Sequence, residues 1–440
     1  MNLLIFTQSA WDETNSIGST LSNIFNNFKN GKIAHLYCRA AQPNNNVCVS
    51  YYNISDKDLL KNVFSKKKEV GKTFNFESYK KTNGNMQKKE TEEERVYNFF
   101  RKRPSVLAKW GREMLWKTRG WKNNKLENFL KEFSPDIIFS PCFSNYYPHE
   151  ILWYIQTFTK AKVVLFHADD YLSYKGLNSS PLDYIDKMIR ANIVKKSIKQ
   201  SNLNYCISEE QKEEYEKKTG QKMKILFKGG NFNIRPVTKE ETEQKPVRIV
   251  YMGTTAYGRW KTLAMVSEAI QKLNKDSKDF ELSVYSQYKP SKKELKTFAL
   301  PGASDFMGKV DSSKVPEVLS QADIVLHVES FEKKERLKTR LSFSTKIVDC
   351  LKSAKAVLAV GWEEAASINY FMRNDAGFVA TNKDEIIEVL QEIKNNRKLL
   401  DEYSQKAWHC GKKNHQIETI QKNFYNDLES LLNKIKKRGR

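Results

Sequence analysis

Four neighbouring residues have the types and spacing to hold a phosphorylated ligand. Ser344, Thr345 and Lys346 stand in a row, and Asp349 follows about one helical turn later, in "SFSTKIVDCLKSAKAVLAVGWEE", residues 342–364. The spacing predicts a helix that starts near Ser344. A Ser or Thr at a helix start caps orphan amides, and the remaining N–H groups with the helix dipole make a seat for a phosphate. Thr345 and Asp349 are four apart and share one helix face. A phosphate at Ser344–Thr345 would place an attached ribose near Asp349, whose carboxylate accepts hydrogen bonds from two vicinal hydroxyls. Ile347, Val348 and Leu351 point the other way and bury the helix. An ordinary capped helix with an incidental Asp is the competing reading.

A second group lies in "VRIVYMGTTAYGRWKTLAMVSEAI". A strand runs into Gly253, a small loop follows, and Arg259 and Lys261 precede a helix. Two cations facing a helix start suit a diphosphate leaving group. They neutralise charge that grows as the bond to the sugar breaks, without a metal. With 75 Lys and Arg in the chain, a chance basic pair is the competing reading.

These residues need a scaffold. Short apolar runs alternate with amphipathic segments along most of the chain, which predicts parallel sheets covered by helices on both faces. Strands are expected at 3–7, 33–38, 47–52, 136–140, 162–167, 203–207 and 223–227. After the polar, two-proline stretch 231–247, read as a linker, they resume at 247–252, 280–285, 324–328, 356–360 and 377–380. Two doubly wound, Rossmann-like domains facing a cleft follow, residues 1–235 and 246–412. A helix over 413–440 is expected to pack back toward the first domain, its basic end "KKIKKRGR" being frayed. Ligands of such sheets bind beyond the carboxyl ends of the strands.

One region departs from the alternation. Residues 61–122 hold 18 Lys/Arg against 7 Asp/Glu, and Phe99, Phe100, Trp110, Trp116 and Trp121 interleave with the basic side chains. The first domain is therefore expected to carry a basic aromatic insertion over about 55–122, with a helix from Pro104 to about Lys117. Its composition suits an anionic membrane surface; a solvated insertion whose aromatics pack on the parent domain is the alternative.

Bulk composition narrows the class. The 440 residues are 29% charged and 40% apolar, a globular balance. No run of about 18 apolar residues predicts a membrane-spanning helix, and "MNLLIFTQSAW" reads as a first strand rather than a signal peptide. Six scattered cysteines without a CxxC fit a reduced, cytoplasmic protein. Six histidines without HExxH or a Cys/His cluster make no structural zinc site. The net charge of +23 favours anionic partners: nucleic acid, anionic lipid or a phosphorylated substrate.

The runs "STKIVDCLKSAKAVLAVG", "GTTAYGRWKTL" and "YCISEEQKEEYEKKTGQKMKILFKGG", with the opening "MNLLIFTQSAWDETNSIGSTLSNIF", resemble bacterial glycosyltransferases of the GT-B fold, close to glycosyltransferase family 4. The order of elements agrees over nearly the whole chain. The resemblance implies that Gly253, Arg259 and Lys261 bind the donor diphosphate. Ser344, Thr345 and Lys346 would receive its distal phosphate, and Asp349 would hold the ribose. It implies that His167, Asp169 and Asp170, in "VVLFHADDYLSY", lie at the cleft edge near the transferred sugar as the catalytic group. Gly18 and His149 would stand on the acceptor side. A buried His with capping Asp residues is the structural alternative.

The sequence departs from the family in one place. The family often carries two glutamates eight apart; here Asp349 matches the second and Leu341 stands at the first, with Glu329 or Glu335 as substitutes from the loop. The activity implied is transfer of a sugar from a UDP- or GDP-linked donor to a hydroxyl of a glycan or lipid-linked glycan. The setting implied is capsule, O-antigen or similar surface polysaccharide synthesis. Retention of configuration, no cofactor and no metal are implied as well. The setting would be the cytoplasm, peripheral to the inner face of the cell membrane, where an anionic surface is the expected partner. The competing function is a non-catalytic basic scaffold for nucleic acid or anionic membrane, though no helix-turn-helix, zinc-finger or RNP-like signature is present. A sugar-nucleotide epimerase of the same fold is a third reading.

Overall fold

Runs such as "KVVLFH" and "AVLAV" are apolar on both faces, as strands buried between two helical layers must be. A computed structural model of the chain describes residues 1–39, 42–65, 70–76, 105–173, 180–236 and 246–436. The expected α/β class, with two largely parallel sheets, is what forms.

The first sheet contains β1 (Asn2–Thr7), β2 (Lys32–Tyr37), β3 (Ser50–Asn53), β4 (Lys72–Phe74), β5 (Ile137–Pro141), β6 (Lys162–His167), β7 (Leu203–Cys206) and β8 (Lys224–Ile225). Their order is β4-β3-β2-β1-β5-β6-β7-β8. Only the edge pair β3–β4 is antiparallel. The second sheet contains β9 (Val247–Met252), β10 (Phe280–Tyr285), β11 (Ser304–Gly308), β12 (Ile324–Val328), β13 (Ala356–Val360) and β14 (Phe378–Ala380), in the order β11-β10-β9-β12-β13-β14.

Each order reverses direction once, between β1 and β5 and between β9 and β12. At such a switch point the connections leave to opposite sides and open a crevice. β4 and β11 had no counterpart among the expected strands. Of the expected linker, residues 237–245 lie outside the described residues.

Two sets of contacts stand out among those that join the halves of the chain. Gly230 and the turn after helix Lys398–His415 exchange backbone bonds, Gly230 N to His415 O at 2.8 Å and Ile417 N to Gly230 O at 3.0 Å. The next helix, Ile417–Lys436, then lies on the first sheet's side. Phe424 packs edge-on against Phe25 and Phe139, and Tyr425 Oη donates to Ile24 O at 2.6 Å. The second set involves Leu341. It is 1% exposed and packs with Cys142 and Leu172 of the first half, while its carbonyl accepts from Ser208 Oγ at 2.9 Å. Arg340 pairs with Glu214 beside it.

The aromatic insertion is corrected in part. Trp116 is fully buried, stacked on Tyr147 with ring centroids 3.9 Å apart, and donates to Asp56 at 2.6 Å. Trp121 is 3% exposed and donates to Trp116 O. Both rings belong to the core, because an indole buries more apolar area there than in any surface pose. The helix expected from Pro104 runs Val106–Lys117 with Ser105 as its cap. Pro104, Phe99, Phe100 and the basic run 101–103 lie outside the described residues. All six cysteines are free and buried, and burial pushes Cys142 and Cys350 up to about 12, which leaves them unreactive thiols.

Candidate donor site at the second switch point

Helix Arg259–Leu273 begins on a turn that needs a left-handed residue. Gly258 takes φ +75°, and a Cβ there would meet Ser330 Oγ at 2.4 Å. The preceding loop holds Thr255, wholly buried, with its hydroxyl unpartnered among the described residues. The first amides of the helix turn back on the loop: Arg259 N to Ala256 O at 3.3 Å, Trp260 N to Thr255 O at 3.1 Å. The positive charge of this corner therefore comes mainly from side chains.

Arg259 crosses the switch point from the β9 side to the β12 side. Its Nη2 donates to both oxygens of Glu329, at 2.8 and 2.9 Å, and its Nε to Val328 O at 3.2 Å. Glu329 follows β12 directly and is buried. Burial pushes its carboxyl above the ordinary value, with Arg259 working against that rise. His327 Nε2 stands 3.6 Å from the same carboxylate, and burial holds that imidazole down to about 3. It is neutral at physiological pH, so Arg259 alone balances Glu329. Lys261 lies further out and pairs with Glu332 at 2.8 Å.

Beside this corner is a cavity of about 170 Å³. Its floor is Met252 and Gly253 at the end of β9, Tyr285 and Ser286 at the end of β10, and Val310. Lys346 and Asp349 line it as well. Lys346 Nζ donates to Met252 O at 3.3 Å. That ammonium is open to solvent at the rim, and the wall beneath it lowers its pKa by desolvation, helped by repulsion from Arg259 and Lys228. One mouth thus combines an apolar slot, one carboxylate and one ammonium, with the Arg259 guanidinium near enough to repel that ammonium. These suit a base, a ribose diol and a diphosphate.

The helix at residues 344–352 differs from expectation. It covers only Ile347–Lys352, with Lys346 at the cap and no side-chain cap bond. Ser344 Oγ accepts from Lys346 N at 3.3 Å, and Ser344 O from Ile347 N at 3.1 Å. Those two amides are therefore engaged in the turn, and a single helical turn sums few peptide dipoles. A phosphate here would meet the Lys346 ammonium rather than a row of helix amides. Ile347, Val348 and Leu351 are buried as expected.

The first-half residues separate into two kinds. His167 ends β6, fully buried; Nε2 is 3.3 Å from Asn204 Oδ1 and Nδ1 is unpartnered among the described residues. Burial lowers its pKa to about 4, so it is a neutral hydrogen-bonding group at pH 7. Asp169 accepts from Tyr171 Oη at 3.1 Å and is raised above the ordinary carboxylate value, by desolvation first.

Asp170 is committed to its own loop. It accepts from Leu172 N at 3.2 Å, Ser173 N at 2.9 Å and Tyr215 Oη at 3.1 Å, and from the Ser173 hydroxyl. His149 is 1% exposed with both ring nitrogens engaged, Nδ1 with Ser197 Oγ at 2.7 Å and Nε2 with Phe143 O at 3.1 Å. It offers no atom to an acceptor. Both residues have their polar side-chain atoms engaged within the fold. Gly18 sits in the first turn of helix Ser16–Phe25, after β1, where a Cβ would lie 1.9 Å from Asp12 O; close backbone approach is its reason.

Sequence reasoning missed Thr255 and left Glu329 only as one of two substitutes. Thr255 was inside the quoted Gly-bearing loop. Glu329 has no spacing signal, because its partner Arg259 is 70 residues away. Glu335 pairs with Lys338 on its own helix at 3.2 Å.

Residues 246–396 match the family model described as "Glycosyl transferases group 1". No curated protein matches the sequence. Among solved structures, HepE from Anabaena in complex with UDP and glucose is 10% identical, with TM-score 0.62, covering 98% of this chain and 100% of that one. Sucrose-phosphate synthase from Thermosynechococcus elongatus is 9% identical, TM-score 0.62, covering 98% and 99%. A glycosyltransferase from Rickettsia africae is 13% identical, TM-score 0.56, covering 98% of each chain. The likeness shows the fold, the GT-B arrangement of two α/β domains.

Proposed function

We propose that the protein is a glycosyltransferase that moves a sugar from a nucleoside-diphosphate donor to a hydroxyl of a glycan or lipid-linked glycan. The observation that carries this is the cavity at the β9/β12 switch point, where Asp349 and Lys346 share one mouth a short way from Arg259. The match of residues 246–396 to a glycosyltransferase family supports the activity, and UDP in the similarly folded HepE favours UDP over GDP.

In this reading the base lies between Tyr285 and Val310, and Asp349 accepts from the ribose hydroxyls. Arg259, Lys261 and Lys346 meet the diphosphate. Cations fixed beside a leaving group stabilise its growing charge, and this is the largest contribution such a site makes. The acceptor oxygen bonds to the anomeric carbon, the bond from that carbon to the diphosphate breaks, and the departing oxygen takes the acceptor's proton. In this reading the acceptor enters on the face from which the diphosphate leaves, so configuration is retained. No divalent ion is required for the charge. His167 and Asp169 border the sugar from the first domain. The pathway we favour is surface polysaccharide synthesis at the inner face of the cell membrane.

The test is donor turnover. Purified protein is incubated with UDP-sugars and GDP-sugars, and nucleoside diphosphate release is read by chromatography with EDTA present. Release that falls about 100-fold in Arg259→Ala supports the reading. No release from any donor, with or without added Mg²⁺, by a protein shown to be folded would contradict it.

A further inference from the structure

Ten of the sixteen large apolar side chains that stand open to solvent among the described residues lie on three helices of the first half. These are Asp56–Phe64, Val106–Lys117 and Pro181–Gln200. A folded chain leaves single apolar residues exposed everywhere, but a concentration of this kind marks an interaction surface. The helices are joined in series. Arg112 bonds Asp56 at 3.0 Å, and Lys109 and Trp110 bond Asp186 at 2.8 and 3.0 Å.

The pattern within the helices rules out random scatter. In Pro181–Gln200, Leu182, Ile185 and Ile189 follow helical spacing along one outward stripe, with Met188 beside it. Their exposures run from 38% to 44%. Farther along, the same stripe carries Asn192, Lys196 and Lys199, all exposed. The opposite face, with Val194, Ser197 and Ile198, is buried. In its first turns the helix is thus apolar outward and turns Asp186 inward, and it becomes an ordinary surface helix afterwards. In Val106–Lys117, Leu107, Gly111 and Met114 make a second outward stripe, Leu107 65% and Met114 71% exposed. Phe64, at the end of the first helix, is 87% exposed.

Charge selects the occupant. Three acids of this surface are already paired, Asp56 with Arg112, Asp183 with Lys187 and Asp186 with Lys109, and Asp58 is the remaining partly exposed acid of the three helices. Exposed Lys57, Lys61, Lys117, Arg119, Lys196 and Lys199 border the apolar stripes. An apolar centre within a basic border, on a chain of net charge +23, complements a bilayer whose head groups are anionic. We propose that this three-helix surface seats the protein on an anionic membrane, with Leu107, Met114, Ile185 and Ile189 entering the head-group boundary. The expected interfacial tryptophans Trp116 and Trp121 take no part, since they are core residues. The surface lies apart from the donor cavity and stands whether or not the chain transfers a sugar.

The experiment is vesicle co-sedimentation of the full chain. Vesicles of phosphatidylglycerol and phosphatidylethanolamine are compared with phosphatidylcholine alone. Wild type is expected to pellet with the anionic vesicles and at least about tenfold less with the neutral ones. The pairs Ile185→Ser/Ile189→Ser and Leu107→Ser/Met114→Ser are each expected to weaken binding about tenfold. Their melting temperatures should stay near wild type, because these side chains are largely outside the core. Wild type that ignores anionic vesicles overturns the proposal. So do serine variants that bind as wild type does, which would reduce the effect to bulk charge. A serine pair that dissolves a dimer seen by light scattering, with no vesicle binding by wild type, would assign the face to self-association and equally overturn it.

Discussion

Arg259 and Glu329 are 70 residues apart in sequence, yet one guanidinium nitrogen of Arg259 lies 2.8 and 2.9 Å from the two Glu329 oxygens. The pair spans the point where the second sheet reverses direction. It fixes the guanidinium beside the donor cavity before any ligand arrives. Such preorganisation is what lets a cation stabilise a leaving group without reorganising at the moment of reaction.

Removing Glu329 tests the pair directly. Glu329→Ala leaves Arg259 with one carbonyl partner in a site where its side chain is 16% exposed. Breaking one half of a buried pair costs about 3 kcal/mol, so the melting temperature should drop by several degrees. Differential scanning calorimetry checks this. A variant as stable as wild type would mean that the pair is not held in solution.

Asp349 should determine nucleotide affinity. Two hydrogen bonds from ribose hydroxyls to a carboxylate are worth about 1.5–3 kcal/mol each. Asp349→Ala should weaken UDP binding at least about tenfold by isothermal titration, with Asp349→Asn between the two. Deoxyuridine diphosphate should bind the wild type more weakly than UDP and the alanine variant equally. A wild type that does not distinguish the two nucleotides would place the ribose elsewhere.

His149 and His167 should respond in opposite ways. His149 has both nitrogens bonded inside the core, so His149→Ala should lower stability by about 2 kcal/mol while the folded fraction turns over normally. His167 keeps a ring nitrogen with no partner among the described residues, at the end of β6. His167→Ala should lower kcat by a larger factor than it changes KM for the donor. Active-site titration, which counts folded enzyme, separates the two effects.

Acid should destabilise the fold before most carboxylates titrate. Burial holds His35 and His327 at about 3 and His149, His167 and His415 at about 4. Above pH 6.5 these rings are neutral both folded and unfolded. As pH falls below 6.5, only the unfolded chain takes up the protons, so stability is lost down to about pH 4. Each ring contributes a slope of on the order of 1.4 kcal/mol per pH unit across that window. Asp169, Glu210 and Glu329 are raised by burial and gain on acidification, which trims the slope without reversing it. Melting temperatures at pH 7, 6 and 5 should fall steeply. A flat profile would contradict the burial of these rings.

The extent to which the sequence revealed the structure follows from range. Strands β6, β9, β10, β12 and β13 have the expected bounds, because continuous apolar runs between polar turns leave few alternatives. β4, "KTF", and β11, "SDFMG", are edge strands with exposed polar residues, and so carry little apolar signal. Ser344 and Thr345 looked like a helix start because hydroxyl residues are good caps. The turn at Ser344 used that capacity locally and delayed the helix to Ile347. Leu341 anchors this segment in a cluster of the first half, and no local pattern encodes so distant a contact. Trp116 and Trp121 looked interfacial by composition, while the rings they pack on, Tyr147 for Trp116 and Tyr154 for Trp121, come from another element.

The measurement that tests the central claim most directly is the melting temperature of the purified chain against UDP, GDP, ADP and CDP, each with and without EDTA. A ligand that binds only the folded state raises it by mass action. The donor-site geometry predicts a rise with one uridine or guanosine diphosphate. That rise should survive EDTA and vanish in both Arg259→Ala and Asp349→Ala. No rise with any nucleotide, or an equal rise in those variants, would contradict a donor site between β9 and β12.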